Sequence, residues 1–227
     1  MNNYKVAVFD LDGTILDTLE DLTISMNAGL AANGQPTHSR EEMRMFVGRG
    51  IPMAVKRALA PNDDPELAEK VLADFTEHYR VHCADHTFPY PGICEVLSAL
   101  NEVGYYLAVV SNKADYAVQD LCATRFPAVF DAVVGIQEGV ARKPAPDAAN
   151  KALAIIAEKT GQAVDELAKS SVFIGDSDVD IQTARNAGLD EILVSWGFRG
   201  RAFLEEHGAK RIVDEPMELL SLLLPDR

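Results

Sequence analysis

The chain has 227 residues, of which 48% are hydrophobic and 25% charged, and its formal net charge at pH 7 is −14. This length and composition suit a globular protein with one sizeable core and a smaller second unit. An acidic chain without a basic cluster is a poor match for nucleic acid or an anionic membrane, so we expect neither as a partner. No CxxC spacing, leader pattern or apolar run of ~20 residues is present, which favours a cytoplasmic protein.

Short apolar segments alternate with helical patterns along most of the chain. This alternation predicts an α/β fold whose core is a Rossmann-like, doubly wound parallel sheet covered by helices on both faces. The first segment, from Val6 to Phe9, is an unbroken apolar run, which is typical of a strand buried on both faces. The predicted strands span residues 5–9, 106–111, 132–135, 171–175, 191–194 and 211–213. The predicted helices span residues 93–103, 147–160 and 178–187, with a last helix opening at Pro216.

Residues 17–86 interrupt this alternation, because every segment between them has a helical pattern. Apolar residues recur at helical spacing from Leu19 to Leu30 and again from Leu67 to Tyr79. We therefore expect an all-helical cap domain of residues 17–86, inserted into an α/β core domain formed by residues 1–16 and 87–227.

Polar side chains follow four of the predicted strands, at the edge where ligands bind in an open parallel sheet. In chain order these residues are Asp10, Asp12, Ser111, Asn112, Lys143, Asp176 and Asp180. Because the carboxyl ends of parallel strands share one edge of the sheet, we expect these side chains to form a single site.

Four of these residues are aspartates, and Lys143 is the cation that we expect among them. Two carboxylates ~4 Å apart repel each other by about 1 to 4 kcal/mol, depending on the local dielectric. A hard cation with oxygen ligands relieves this repulsion, and a site with room for water and phosphate suits Mg²⁺ better than Ca²⁺ or Zn²⁺. Mg²⁺ is therefore the predicted cofactor, with Asp10, Asp12, Asp176 and Asp180 as its predicted ligands.

The same arrangement suggests a reaction in which a carboxylate attacks a phosphate ester. Asp10 would attack phosphorus and form an aspartyl-phosphate. Asp12 would give a proton to the departing alkoxide and later take one from the hydrolytic water. Ser111, Asn112 and Lys143 would hold the phosphoryl oxygens as charge redistributes in the transition state. Ser111 and Lys143 are therefore predicted to be catalytic together with Asp10 and Asp12. The predicted phosphate-binding residues are Gly13, Thr14, Ser111, Asn112 and Lys143.

The four motifs, in this order, resemble those of the haloacid-dehalogenase superfamily. DLDGT is similar to its first motif, and VVSNK, RKPAPD and GDSDVD are similar to its second, third and fourth. The resemblance implies that the main-chain carbonyl of Asp12 also binds the metal, as does the side chain of Asp176. It implies that Asp180 acts through a metal-bound water or through Lys143. The namesake dehalogenases lack the second aspartate, so Asp12 favours phosphate chemistry.

Within the superfamily, the chain resembles the phosphoglycolate-phosphatase branch, which implies phosphoglycolate as the substrate. The segment FVGRGIPMAVKRAL is similar to that branch's cap loop, and this similarity implies that Arg49 faces the active site and binds substrate. The similar β-phosphoglucomutases carry a cap histidine where this chain has Leu22, which disfavours a mutase. A small phosphorylated metabolite is the expected partner, and the protein is expected to be a monomer or a homodimer.

Several alternatives stay open. The substrate could be a sugar phosphate, pyrophosphate or a nucleoside monophosphate, or the protein could be a β-phosphoglucomutase-like mutase. A non-enzymatic alternative is a phospho-accepting or phosphate-binding regulatory module, although receiver domains carry their acceptor aspartate where this chain has Gly135 and Ile136. His78 and His82 lie four residues apart on a helix, but without a clear third ligand they favour a zinc site only weakly. We interpret the segment from Trp196 to Phe198 as packing.

Overall fold

The computed structural model describes residues 4–224 of the chain. These residues fold into two compact units. The smaller unit is Asp17–Phe88, and the larger unit comprises the described residues on either side of it. The sequence interpretation had drawn the second boundary at residue 86. Among the described helices, none combines the length with the apolar composition that crossing a membrane would require.

The chain begins in the larger unit and then builds the smaller one from four helices. Up to this point its elements are β1 (Val6–Phe9), β2 (Leu16–Asp17), α1 (Leu19–Ala32), α2 (Arg40–Phe46), α3 (Ile51–Leu59), α4 (Pro65–His82) and β3 (Phe88–Pro89). The rest are α5 (Ile93–Glu102), β4 (Tyr106–Ala114), α6 (Asp115–Arg125), β5 (Ala132–Ile136), α7 (Asp147–Thr160), α8 (Val164–Lys169), β6 (Ser171–Gly175), α9 (Asp178–Asn186), β7 (Asp190–Val194), α10 (Arg201–Glu206), β8 (Ile212–Val213) and α11 (Glu218–Leu223).

The larger unit contains a six-stranded sheet with the order β5-β4-β1-β6-β7-β8, and all of its neighbouring strands are parallel. The predicted doubly wound α/β core is therefore confirmed. The chain leaves β1 toward β4 and β5 on one side and later fills the other side with β6, β7 and β8. The strand order thus reverses beside β1, and a ligand crevice is expected at the carboxyl ends of β1, β4 and β6.

The centre of the sheet is apolar on both faces, which fixes the ends of its strands. All four residues of β1 are completely buried. One face packs Val6, Val8 and Phe173 against apolar residues of α7, α8 and α9. Burial of each side chain of this size contributes roughly 1.5–3 kcal/mol to the stability of the fold. This packing holds in place the strands whose ends carry the polar residues. At the end of the chain, Pro216 lies in a turn before α11 and not at its first residue, as had been predicted.

The smaller unit is held together by close helix packing and by one buried carboxylate. A Cβ atom on Gly29 of α1 would lie 2.8 Å from the carbonyl oxygen of Val71 in α4, so the two backbones approach closely. The carboxylate of Asp21 accepts hydrogen bonds from the backbone N–H of His86, at 2.9 and 3.0 Å, and from Thr87 Oγ1 at 2.8 Å. These bonds tie α1 to the segment that follows α4.

His78 and His82 of the smaller unit each engage a neighbour through Nδ1. His78 Nδ1 lies 3.0 Å from Ser25 Oγ, and His82 Nδ1 lies 2.7 Å from Asp85 Oδ2. The two rings also contact each other in a tilted arrangement, with their centroids 4.4 Å apart. These contacts give both histidines a role in packing within the unit.

Candidate active site

The turn after β1 is tight and needs glycine at one position. The carbonyl of Leu11 accepts backbone hydrogen bonds from Thr14, Ile15 and Leu16, at 3.3, 3.1 and 3.0 Å. Gly13 has φ +83°, and a Cβ atom there would lie only 2.5 Å from Asp176 Oδ2. The turn therefore brings the end of β1 directly against the end of β6.

Asp10 directly follows β1, and only one of its two carboxylate oxygens accepts hydrogen bonds from the described residues. Its Oδ1 accepts a 2.7 Å hydrogen bond from the backbone N–H of Leu11 and lies 2.8 Å from Lys143 Nζ. Its Oδ2 accepts no hydrogen bond from the described part of the chain. Burial, only partly offset by Lys143, raises the pKa of Asp10 to about 7.

Lys143 lies between two carboxylates and is almost completely buried. Its Nζ is 2.8 Å from Asp10 Oδ1 and 2.7 Å from Asp180 Oδ1. Burial opposes the charge of this ammonium, but the two carboxylates outweigh it and raise the pKa of Lys143. Lys143 therefore stays charged in this site.

The side chain of Asn112 holds the backbone of Lys143. Asn112 Oδ1 accepts a 2.8 Å hydrogen bond from the Lys143 N–H, and Asn112 Nδ2 donates a 3.1 Å bond to the Lys143 carbonyl. The loop that carries Lys143 is thus attached to the end of β4. Both Oδ1 and Nδ2 of Asn112 thus bond the backbone of Lys143. Its role as a direct phosphate ligand stays a prediction.

Asp176 and Asp180 follow β6 and have different surroundings. Asp176 Oδ2 accepts a 2.6 Å hydrogen bond from the backbone N–H of Phe198. Asp180 Oδ1 is paired with Lys143, while its Oδ2 accepts bonds from the N–H of Asp176 and from the N–H and hydroxyl of Ser177, at 3.2, 3.1 and 2.5 Å. Asp180 therefore fixes Lys143 and the tip of β6 with both of its oxygens.

The carboxylates of Asp10, Asp176 and Asp180 fit a hard cation. Each offers an oxygen within 4.8 Å of the others, and they are the one such group of three or more potential ligands among residues 4–224. Burial, reinforced by the charges of Asp180 and Asp10, raises the pKa of Asp176 well above its ordinary value. A group of buried oxygen donors with this excess of negative charge suits Mg²⁺.

Lys113 is a second buried cation that the sequence interpretation missed. Its Nζ lies 2.7 Å from Asp12 Oδ1, and its side chain is 6% exposed. The signal was the VVSNK segment itself, in which Lys113 stands two residues after Ser111. Residues two apart in a strand share a face, and β4 continues through Ala114, beyond its predicted end at residue 111.

The remaining predicted residues lie at three kinds of position. Ser111 is buried within β4, three residues before its end, and its Oγ accepts a 3.3 Å hydrogen bond from the N–H of Lys113. The Thr14 hydroxyl is buried and has no hydrogen-bond partner within the described residues. Arg49 is exposed in the smaller unit, in the connection between α2 and α3. The phosphate and substrate roles of these three residues stay predictions.

The segment from Trp196 to Phe198 contributes more than packing. Besides the Phe198 N–H bond to Asp176, Trp196 Nε1 donates a 3.0 Å hydrogen bond to the Thr14 carbonyl. A Cβ atom on Gly197 would lie 2.3 Å from the Gly13 carbonyl oxygen and 2.4 Å from Asp176 Cβ. Any residue can supply a backbone N–H, so side-chain patterns in the sequence gave no sign of this role.

Comparisons of sequence with known proteins give a consistent family. The family model for haloacid dehalogenase-like hydrolases matches residues 7–194. The chain is 33% identical to a phosphoglycolate phosphatase of Pseudomonas syringae pv. tomato, over 98% of this chain and 84% of that protein. It is 34% identical to a phosphoglycolate phosphatase of Caulobacter vibrioides, over 97% of this chain and 93% of that protein.

Solved structures share the fold over almost the whole chain. A protein of Lactobacillus delbrueckii subsp. bulgaricus, assigned as a phosphoglycolate phosphatase, matches with a TM-score of 0.90 and 38% identity, covering 99% of this chain and 100% of that one. CbbY of Rhodobacter sphaeroides, solved in complex with phosphate, matches with a TM-score of 0.75 and 26% identity, covering 95% and 96%. The resemblance predicted from the four motifs is confirmed, and the chain belongs to the haloacid dehalogenase-like hydrolase family.

Proposed function

We propose that this protein is a Mg²⁺-dependent phosphatase that hydrolyses phosphoglycolate through an aspartyl-phosphate on Asp10. The observation that carries the proposal is the state of the Asp10 carboxylate. Its Oδ1 is held by Lys143 and Leu11, while Oδ2 accepts no hydrogen bond from the described residues. A carboxylate held in this way is oriented for attack by one oxygen.

The residues supply the groups that both steps of the reaction need. Asp10 Oδ2 attacks phosphorus, and the bond from phosphorus to the leaving oxygen breaks as Asp12 gives that oxygen a proton. Asp12 then takes a proton from the water that hydrolyses the aspartyl-phosphate. Lys143 offsets negative charge beside Asp10 throughout.

Asp10 and Asp176 are the side chains that would hold Mg²⁺, with Asp180 beside them. When bound, Mg²⁺ would screen the incoming phosphate from these carboxylates and offset the charge that develops on it. Both oxygens of Asp180 already accept hydrogen bonds, so its part is to hold Lys143 and the β6 tip.

Phosphoglycolate is proposed because the relatives over nearly the full chain carry that activity in their names. A site that accepts a phosphate group is further supported by the similarity to CbbY, which was solved with phosphate. The substrate is tested by comparing kcat/KM for phosphoglycolate with that for hexose phosphates and nucleoside monophosphates. A hundredfold preference corresponds to about 2.7 kcal/mol of differential transition-state binding. Comparable kcat/KM values across these classes would contradict the assignment of phosphoglycolate.

The nucleophile is tested with Asp10→Asn, measuring phosphate release from p-nitrophenyl phosphate and phosphoglycolate in Mg²⁺ and in EDTA. We expect the wild type to lose activity in EDTA, and the variant to lose at least about a thousandfold in kcat even in Mg²⁺. Asp120→Asn is the matched control, because Asp120 is an exposed aspartate of α6 in the same unit. Turnover by Asp10→Asn at more than a few per cent of the wild-type rate would refute the proposed nucleophile.

A further inference from the structure

We propose that Lys113 is a positioning residue for Asp12, which it holds by Oδ1 so that Oδ2 is presented to the leaving group and to water. The proposal rests on the proposed function, in which Asp12 moves protons to the leaving group and from water. The ion pair that carries it joins Lys113 Nζ and Asp12 Oδ1 at 2.7 Å, with side-chain exposures of 6% and 20%.

The chemistry of the ammonium decides which oxygen is better placed to carry the proton. A lysine Nζ has three N–H donors and no acceptor. The oxygen that accepts from Lys113 is therefore the less favourable place for a hydrogen, since a hydroxyl oxygen is a weaker acceptor than a carbonyl or carboxylate oxygen. Oδ2 is the oxygen of Asp12 that is left for proton transfer. One contact thus fixes the orientation of the carboxyl and the atom from which a proton leaves.

The position of Lys113 is itself held by the backbone around the tip of β4. The register between β4 and β5 shifts between Val110 and Ala114. A Cβ atom on Gly135 would lie 2.8 Å from the Lys113 carbonyl oxygen and 2.5 Å from Asp115 Cα, so glycine is what allows β5 to pass this close. Asp115 Oδ1 then accepts a 2.8 Å hydrogen bond from the Gly135 N–H. The backbone that carries Lys113 is therefore fixed on the side of β5.

The two buried lysines of the site serve different carboxylates. Lys143 contacts Asp10 and Asp180, at the centre of the candidate metal site. Lys113 contacts Asp12, the residue assigned to proton transfer. A buried ammonium is expensive without a carboxylate partner, so each lysine is committed to its own aspartates. This separation lets the position of Asp12 be perturbed without removing the cation beside the nucleophile.

The test compares two substrates of nearly the same shape whose leaving groups differ in basicity. p-Nitrophenolate leaves readily without a proton, whereas the more basic phenolate of phenyl phosphate depends more on an acid. For Lys113→Met we expect kcat/KM for phenyl phosphate to fall about tenfold to a hundredfold, with kcat/KM for p-nitrophenyl phosphate within about threefold of the wild type. This ratio reports the steps up to departure of the leaving group and omits hydrolysis of the aspartyl-phosphate, which both substrates share. Lys113→Arg keeps a charged donor and should recover most of the lost kcat/KM.

Two further variants separate a wrong role for Lys113 from a wrong proposed function. Asp12→Asn should show the same leaving-group dependence, more strongly, and its absence would count against proton transfer by Asp12 and hence against the proposed function. Lys159→Met is the matched control, since Lys159 pairs with Asp131 at 3.9 Å on the surface of the same unit. Equal losses of kcat/KM on both aryl phosphates, or no loss on either, would overturn the role of Lys113. So would a rise in KM confined to phosphoglycolate, because Lys113 would then bind the substrate carboxylate.

Discussion

The aspartates of the site differ in which of their oxygens are already engaged. Asp10 and Asp12 each present Oδ1 to a lysine, and Asp176 presents Oδ2 to a backbone N–H. Asp180 uses both oxygens on neighbouring donors. Chemically identical side chains are thereby given different tasks, because an oxygen that already accepts a short hydrogen bond is a poorer nucleophile or base. The first three can each act through one oxygen, while Asp180 supports the others.

Gly197→Ala tests the approach of the 196–198 segment to the metal-binding carboxylates. The new Cβ would lie 2.3 Å from the Gly13 carbonyl oxygen and 2.5 Å from Asp176 Oδ2, so the segment has to move away. We expect kcat/KM to fall by about tenfold or more, since small displacements at a reacting centre have effects of this size. The Mg²⁺ concentration that gives half-maximal activity should also rise, and a Mg²⁺ titration of phosphate release measures both effects.

Gly161→Ala provides the control for this change. Gly161 ends α7 with φ +70° and has open space around it, so alanine there adds backbone strain without crowding the site. It should lower the free energy of unfolding by about 1–2 kcal/mol while leaving the Mg²⁺ titration unchanged. If Gly197→Ala left activity and Mg²⁺ dependence at wild-type values, the segment would have no part in positioning Asp176.

At the level of whole elements, the site depends on the loop between β5 and α7, which is attached to β4, a strand that does not adjoin it in sequence. Lys143 lies in the connection between β5 and α7, yet its backbone is fixed by Asn112 at the tip of β4. The Asn112 carboxamide bonds both the N–H and the carbonyl of Lys143, so it holds that residue as a hydrogen-bonded residue of a neighbouring strand would. The lysine is thus located relative to β1 by two neighbouring strands at once.

Asn112→Asp tests this attachment with a minimal change of shape. The aspartate still accepts from the Lys143 N–H, but its second oxygen faces the Lys143 carbonyl, where a donor stood at 3.1 Å. The resulting repulsion should displace the loop and lower kcat for p-nitrophenyl phosphate by about tenfold. Asn101→Asp is the matched control, because Asn101 Nδ2 donates to the Val129 carbonyl at 3.3 Å, outside the site. Equal activities of the two variants would show that the attachment is not needed.

These elements also show how far the sequence alone can lead. The apolar run before Asp10 is enough to predict a buried strand and a carboxylate at its end, because both depend on adjacent residues. The end of β4 could not be predicted in the same way, since it depends on a register shift against β5 and on the absence of a side chain at Gly135. The sequence therefore shows Lys113 only as part of the VVSNK motif and predicts no role for it. Backbone donors such as the Phe198 N–H leave no mark in the sequence at all.

For the whole molecule, the buried carboxylates link the stability of the fold to pH and to the metal. The chain has a formal net charge of −14, and three of its carboxylates are buried together in the site. Lys143, beside Asp10 and Asp180, offsets part of their charge. A cation that binds the folded site and not the unfolded chain therefore stabilises the fold, by an amount that grows with its concentration.

The ionisation of Asp10 gives this link a definite sign in the metal-free protein. Its pKa is raised by burial from 3.8 to about 7, so between these values the folded state binds more protons than the unfolded state. The contribution of Asp10 to stability is then fully present below the lower pKa and is lost as pH rises through the upper one. Asp10→Asn cannot ionise, so the variant's Tm minus the wild-type Tm should increase from about pH 4 to about pH 8 in EDTA. Added Mg²⁺ should raise the wild-type Tm more at about pH 8 than at about pH 5, because protons compete with the metal for the carboxylates. A Tm difference that stays constant across this range would mean that Asp10 ionises as an ordinary surface aspartate does, and that burial does not raise its pKa.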